Sequence, residues 1–349
     1  MKISENEEDI FLNDNNEEQE ELYEHYRFTA DRKQSLLRID KFLGDRLENT
    51  SRNRIQNAAK ASSILVNGIA VKQNYKVKPN DVISIVLPYP ERNNTLEPEN
   101  IPLDIVYEDE AVLVLNKPAG LVVHPGVGNF DGTLVNGLLY HFQNLPARSG
   151  DAYPGLVHRI DKDTTGLLVI AKDDESMSFL AKQFFNRTVY RRYIALVWGD
   201  LPDEEGIIEG NIGRHARYRK MMDVYPEGDA GKPARTHYKV LERLGYVSVV
   251  ECRLETGRTH QIRVHFKYIG HPLFNDPLYD GNRIVKGTIY SKYKQFVENC
   301  FSLLPRQALH ARALGFVHPR TGEYLQFEAD MPEDMQTVID KWRNYMQNR

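Results

Sequence analysis

An α+β fold is what the sequence predicts: a large mixed or antiparallel sheet carrying helices, preceded by a small unit of two helices and a small sheet. Three observations predict it. Strand candidates crowd residues 103–330 and are joined by varied, often short connections rather than alternating regularly with helices. Residues 32–90 have helix, turn and strand signals of their own, followed by a stretch of linker composition. At 349 residues the chain also exceeds the usual single-domain size, so one large core with a small satellite is expected.

The elements follow in order. Residues 1–24 hold ten acidic side chains and one basic residue, Lys2, and are Asn-rich; a mobile acidic tail reaching residue 31 is expected. In 32–90, Leu37, Ile39, Phe42, Leu43 and Leu47 suit one side of a helix, and Ser51 is placed to cap a second helix through Lys60. Ile64–Val66, the Asn67-Gly68 turn and Ile69–Val71 read as a hairpin, and Val82–Val86 as a later strand. Residues 91–102 read as a linker. The second unit, 103–349, carries strand candidates at 105–107, 111–116, 167–171, 193–197, 236–242, 246–253, 260–266 and 325–328. Helices near 174–185 and 291–299 would cover this sheet, and Met335, Val338, Ile339 and Trp342 recur at the spacing of a packed C-terminal helix over 333–346.

Composition narrows the function. Two cysteines, Cys252 and Cys300, make neither a disulfide framework nor a thiolate metal cluster. No apolar span resembles a signal peptide or membrane helix, so a cytoplasmic protein with no membrane partner is expected. The net charge of −4 conceals an uneven distribution: beyond residue 24 the chain has 44 basic against 39 acidic side chains, and within 32–90 eleven against four. Such a local field attracts a phosphate backbone, although a basic surplus is also what an ordinary solvated face looks like.

Three segments carry chemistry. Asp161 sits among His158, Arg159, Lys162 and Asp163, just before the apolar run Leu167–Ala171, where Thr164, Thr165 and Gly166 supply tight backbone geometry. A carboxylate in a cationic frame at the head of a buried strand suits a nucleophile for a polyanionic substrate, whereas an isolated Asp beside a turn is more often a cap. Arg263 lies in Arg253–His265, read as a strand from Thr259 with Thr259, Gln261 and Arg263 on one face; its guanidinium can hold a buried carboxylate ionised or serve as a structural ion pair. Tyr190-Arg191-Arg192-Tyr193 interleaves cations with aromatics, as base stacking beside a phosphate backbone requires, and Tyr193 opens an apolar strand. Arg214–Lys220, with Arg214 and Arg217, reads as an RNA-facing loop. His260, His265 and His271 form no chelating pattern with Cys252. His158-Arg159 before Asp161 superficially matches a kinase catalytic loop, but the Gly-rich nucleotide loop and downstream metal signature are missing.

With these segments in view, the sequence resembles bacterial RNA pseudouridine synthases of the large-subunit ribosomal RNA branch. The matching landmarks are Asn116–Pro125, 158–172, Tyr193, Leu254–His265, Gly270–Leu273, Asp276–Tyr279 and Arg306–Ala311, while 32–90 resembles the RNA-binding module named after ribosomal small-subunit protein four. The resemblance covers about 32–330. It implies a mostly antiparallel mixed sheet divided by the active-site cleft, and conversion of uridine to pseudouridine without metal or organic cofactor. It implies Asp161 as nucleophile, Arg263 as its orienting partner, Tyr193 as the tyrosine stacking on the base, and Arg159 as the arginine that helps flip and hold the RNA. Arg38, Arg52, Arg54, Lys60, Arg192, Arg214 and Arg217 are the further RNA contacts expected. The partner expected is structured RNA, bound by a monomer with no obligatory protein partner. Alternatives are a noncatalytic RNA-binding protein, a synthase acting on transfer RNA, and a glycoside hydrolase pairing Asp161 with Asp163 or Glu255. Residue identities leave open whether attack falls on the sugar or on the uracil ring.

Overall fold

The computed structural model describes residues 23–47, 52–87, 96–126, 129–142, 155–218 and 221–348. The chain divides into two units, Met1–Thr95 and Leu96–Arg349.

The first unit comprises β1 (Tyr23–Thr29), β2 (Leu37–Arg38), α1 (Ile39–Gly44), α2 (Arg52–Lys60), β3 (Ile64–Val66), β4 (Ile69–Ala70), β5 (Lys76–Val77) and β6 (Val82–Leu87). An antiparallel sheet runs β1-β6-β3-β4, and β2 pairs separately with β5. Ile39, Phe42, Leu43, Ile55, Ile64, Val77 and Ile83 form its core. Asn67 and Gly68 both have positive φ, 51° and 81°, as a two-residue hairpin between right-twisted strands requires.

Three expectations need correction here. The acidic tail was expected to run to residue 31, yet 23–29 is a strand of the sheet, with Arg27 opposite Ser84 and Phe28 opposite Ile83. Its Tyr-Glu-His-Tyr-Arg-Phe-Thr sequence is rich in aromatic residues that favour a pleated surface, a signal masked by the acidic composition before it. Residues 1–22 lie outside the described ones. The first helix was expected from Leu37, but Leu37 and Arg38 are held extended by β5 and the helix starts at Ile39. Of the linker, 91–95 also lie outside the described residues, whereas 96–102 lie against the second unit's first helix. There Asn136 Nδ2 donates to Glu97 O (2.8 Å), Glu99 N donates to Asn136 O (3.0 Å), and Ile101 packs on Gly137.

The second unit contains β7 (Ile105–Glu108), β8 (Val112–Lys117), α3 (Leu134–His141), β9 (Thr165–Ala171), α4 (Asp174–Asn186), β10 (Tyr190–Trp198), β11 (Glu205–Arg214), β12 (Met222–Tyr225), β13 (Lys232–Arg243), β14 (Val247–Leu254), α5 (Gln261–Tyr268), α6 (Ser291–Leu303), β15 (Leu309–Val317), β16 (Tyr324–Glu328) and α7 (Glu333–Gln347). Among the described residues its sheet has ten strands in the order β12-β11-β13-β14-β10-β15-β9-β8-β7, with β16 beside β15. The pairings are antiparallel except β9 with β15, which run parallel over only two residue pairs, Thr165 with His310 and Gly166 with Ala311. The fold is α+β with a mixed, mostly antiparallel sheet, as expected.

Strand alternation sorts the core. In β10, Ile194, Leu196 and Trp198 face a cluster shared with α6 and α7, while Tyr193, Ala195 and Val197 face the opposite cluster, which includes Ile262 and Phe266 of α5. In β9, Leu167, Val169 and Ala171 share a cluster with Met177 and Leu180 of α4, and Leu168 and Ile170 point the other way. All seven residues of β9 are buried, which is why its sequence reads as a continuous apolar run.

The expected strand over 260–266 is instead α5. Gln261, Arg263 and His265 alternate with Ile262, Val264 and Phe266, the two-residue period of a strand, and all six are buried in the helix. Strands β11, β12 and β15 were not expected either. β11 carries Gly206, Gly210 and Gly213, and β15 is interrupted by His310, Arg312 and Gly315, which weaken the strand signal.

Candidate active site

Asp161 lies in the turn that feeds β9, closed by a hydrogen bond from Thr164 N to Asp161 O of 3.1 Å. The turn is anchored on several sides. Lys117, at the end of β8, is fully buried and its Nζ donates to the carbonyls of Pro118 (2.7 Å), Leu121 (2.9 Å) and Lys162 (2.8 Å). Burial pushes this amine down to about 7, against the pull of Asp163 and Asp161. Three carbonyl acceptors nevertheless match the three N–H groups of an ammonium. Arg306 Nη1 donates to Asp163 O at 3.2 Å, Gln307 Nε2 to Thr164 Oγ1 at 3.3 Å, and Thr165 Oγ1 meets His310 Nδ1 at 2.9 Å.

Gly166 completes the anchoring. Its φ is +114°, and a Cβ there would stand 2.3 Å from Ala311 O. Only glycine lets the two parallel backbones approach this closely at this conformation.

Helix α5 brings Arg263 to the same point. Arg263 Nη1 donates to Asp161 Oδ2 at 2.9 Å, while Nε and Nη2 donate to Asp276 Oδ2 and Oδ1 at 2.7 and 2.9 Å. Asp276 is completely buried, the Arg263 side chain is 7% exposed and Asp161 20% exposed. Burial opposes the charge of Arg263, but the hydrogen bonds and charges of Asp276 and Asp161 outweigh it and raise its pKa above the ordinary arginine value. Arg263 is therefore a fixed cation, and it presents one N–H to Asp161.

Tyr193 is buried on the α5 side of β10 and lines a cleft of about 490 Å³ with Asp161, Arg159, His260 and Arg263. Burial raises its phenol pKa, with a smaller push from Asp161 against Arg191. Arg191 lines the same cleft, its guanidinium 5.5 Å from the Phe184 ring centre, and Phe184 stacks on His158 at 4.5 Å. Burial, reinforced by Arg191, drives His158 down to about 3. Its Nε2 accepts the Val169 backbone N–H at 3.0 Å, so it braces β9 as a neutral ring. Arg187 and Arg258 add two more cations to the cleft wall.

Asp161, Arg263, Tyr193 and Arg159 are thus brought together. Arg192, next to Tyr193, is not among the cleft-lining residues; it pairs with Glu328 (2.6 Å) and Glu251 (3.4 Å) on the other face of β10. Arg214 and Arg217 are exposed near the end of β11, outside the residues that line the cleft, and Arg217 stacks over Tyr218. In the first unit, Arg38 and Arg52 converge on buried Asp40 at 3.0 and 3.2 Å yet remain 44% and 57% exposed, and Lys60 ends α2 in solvent. The Arg54 side chain lies outside the described residues.

The other titratable groups weighed in the sequence have partners of their own. Glu255 lines the cleft, but His237 at 2.6 Å and then Arg235 hold its carboxyl below the usual range, which unsuits it as a hydrolytic acid. His260, His265 and His271 turn to Tyr279, Thr236 and Trp198 O respectively. Sequence reasoning assigned no role to Lys117 or Asp276, although both stood within the landmark segments. A buried lysine and a buried aspartate are visible as such only once the chain is folded. No helix among the described residues is long and apolar enough to cross a membrane.

Residues 111–268 match the family model of RNA pseudouridylate synthase, and 37–83 match the S4 domain. An uncharacterized RNA pseudouridine synthase of Bacillus subtilis, YlyB, is 47% identical over 315 residues, covering 90% of this chain and 97% of its own. The ribosomal large subunit pseudouridine synthase D of Zymomonas mobilis is 43% identical, covering 86% and 92%. Among solved structures, human RNA pseudouridylate synthase domain containing 1 superposes with a TM-score of 0.51 at 25% identity, over 71% of this chain and 96% of that one.

Proposed function

This chain belongs to the RNA pseudouridylate synthase family and isomerises uridine to pseudouridine in structured RNA; from that premise we propose that its substrate is large-subunit ribosomal RNA and that Asp161 is the nucleophile. The observation that carries the second part is the ion pair between Asp161 and Arg263, a carboxylate paired and aimed while still open to the cleft. Support for the first part comes from relatives at 43–44% identity whose names specify the large ribosomal subunit.

The reaction needs its base outside the helix stack, and the cleft offers the pieces. Arg159, Arg187, Arg191 and Arg258 meet the backbone of the distorted RNA, and Tyr193 receives the face of the flipped uracil. Asp161 bonds to C1′ or to the uracil ring, the N1–C1′ bond breaks, the retained uracil turns, C5 bonds to C1′, and the bond to Asp161 breaks to return the carboxylate. C5 then loses its proton and N1 gains one, so the product is an isomer of the substrate. The S4 unit adds affinity through phosphate contacts, with Lys60, Arg38 and Arg52 the described cations for the task. The enzyme works as a cytoplasmic monomer.

Asp161→Asn keeps the shape and removes the nucleophilic charge. Pseudouridine formation on a ribosomal RNA fragment should be abolished, with RNA affinity changed less than about threefold. Near-normal turnover by this variant would sink the assignment. A nucleotide-resolution pseudouridine map from cells with and without the protein tests the substrate; changes confined to transfer RNA would redirect it.

A further inference from the structure

Beside Asp161 stands a group to which the reaction above gives no task, His260. It opens α5 with a left-handed backbone, φ 55° and ψ 22°, a conformation that histidine adopts uncommonly and that costs on the order of 1 kcal/mol. The ring lines the cleft, with Nε2 3.9 Å from Asp161 Oδ1 and Nδ1 2.8 Å from Tyr279 Oη.

Counting hydrogens assigns the tautomer. Tyr279 is buried, and its Oη accepts the Met222 backbone N–H at 2.9 Å. A phenol has one hydrogen to give, and among the described residues His260 Nδ1 is the acceptor that meets it. Tyr279 therefore donates to Nδ1, and the hydrogen of the neutral ring sits on Nε2, the nitrogen facing Asp161. Burial lowers the imidazole pKa; Asp161 and Asp276 oppose this, and Arg263 and Arg159 assist it. The ring is thus kept as a neutral donor.

The two oxygens of Asp161 are also inequivalent. Oδ2 is taken by Arg263 Nη1, which leaves Oδ1 as the oxygen free to attack, and Nε2–H stands beside Oδ1. Whatever Oδ1 bonds to comes within reach of that hydrogen. The 3.9 Å separation is no hydrogen bond, but donors in empty sites often close only around substrate.

We propose that His260 is a catalytic residue whose Nε2–H donates a hydrogen bond to a carbonyl oxygen of the flipped uracil, stabilising the negative charge that spreads over the ring as its bond to ribose breaks. The proposal rests on Asp161 being the nucleophile. A fixed donor aimed at developing charge stabilises the transition state more than the ground state. Its signature is consequently in kcat rather than KM.

Two substitutions separate this from structural support. His260→Asn suits the left-handed backbone and offers Oδ1 to the Tyr279 hydroxyl, but cannot reach the place of Nε2; His260→Gln reaches it with an amide N–H. With a ribosomal RNA fragment that the wild-type protein modifies, H260N should lower kcat about 100-fold with KM within about threefold, and H260Q should recover about tenfold or more. Thermal unfolding of both variants shows that they fold. The same fragment carrying 2-thiouridine or 4-thiouridine at the target identifies the oxygen: one sulfur substitution, a poorer acceptor, should slow the wild type and leave H260N unaffected. Wild-type kcat in H260N overturns the proposal, as does an equal loss in both variants with thio effects unchanged in H260N. Near-normal turnover by Asp161→Asn removes the premise, and the proposal with it.

Discussion

Arg263 is gripped by Asp276 through two hydrogen bonds, from Nε at 2.7 Å and from Nη2 at 2.9 Å. This fork fixes the guanidinium plane, and Asp276 is itself held by the backbone N–H groups of Leu278 (3.0 Å) and Tyr279 (3.3 Å). The hydrogen bond to Asp161 is thereby aimed from behind. Asp276→Asn keeps the size but loses one acceptor of the fork, freeing Arg263 to swing. Turnover should fall about 10- to 100-fold, as a misplacement near 1 Å implies, with RNA affinity retained. Single-turnover kinetics with a filter-binding assay checks this; parallel losses of turnover and affinity would point to general RNA contact instead.

Tyr193 offers both a ring face and a hydroxyl. Stacking needs the face alone, so Tyr193→Phe should keep turnover within about tenfold of wild type, and Tyr193→Ala should lose about 100-fold or more. A Phe variant as inactive as the Ala variant would assign the hydroxyl, and proton removal, to this residue.

Gly166 admits no side chain. In Gly166→Ala the new methyl would press on Ala311 O in a backbone conformation alanine avoids, so the strands must part. A loss of about 3 kcal/mol or more is expected, measured as a lowered urea midpoint, along with lost turnover because the Asp161 turn hangs on this strand.

In the first unit, Asp40 is buried and bound by Arg38, Gln56 and Arg52. Desolvation raises its pKa, but those hydrogen bonds outweigh it and hold the carboxyl at about 2 against 3.8. A depressed carboxylate stabilises the fold above its unfolded pKa and loses that contribution as pH falls toward the folded one. The ionised group therefore contributes about 2 kcal/mol at pH 5, of which roughly half is lost by pH 3. Urea unfolding of the wild type and Asp40→Asn should show a stability gap that narrows between these pH values. A constant gap would mean that Asp40 is not held ionised.

Much of this molecule is legible before folding, for identifiable reasons. Tyr193 heads the apolar run of β10, and Asp161 precedes the apolar run of β9, a pattern that a strand buried on both faces produces. Arg263 was placed on the wrong kind of element yet reaches Asp161, because its long side chain needs only the right end of α5. The sequence left no trace of Asp276 as a partner, since thirteen positions of chain separate it from Arg263 and only the turn after α5 brings them together. Arg192 lies outside the cleft because a strand sends adjacent residues to opposite faces: Tyr193 enters the cleft and Arg192 leaves it.

The parallel contact of β9 and β15 is only two residue pairs long, and it lies between two antiparallel halves of the sheet. Asp161 precedes β9, whereas Arg263 rides on a helix packed against β11, β12 and β13 of the other half. Their ion pair is accordingly a latch across a seam, and its 2.9 Å length works as a gauge. A rotation of one half against the other changes that distance, so the aim of Asp161 depends on how the two halves meet at this short contact.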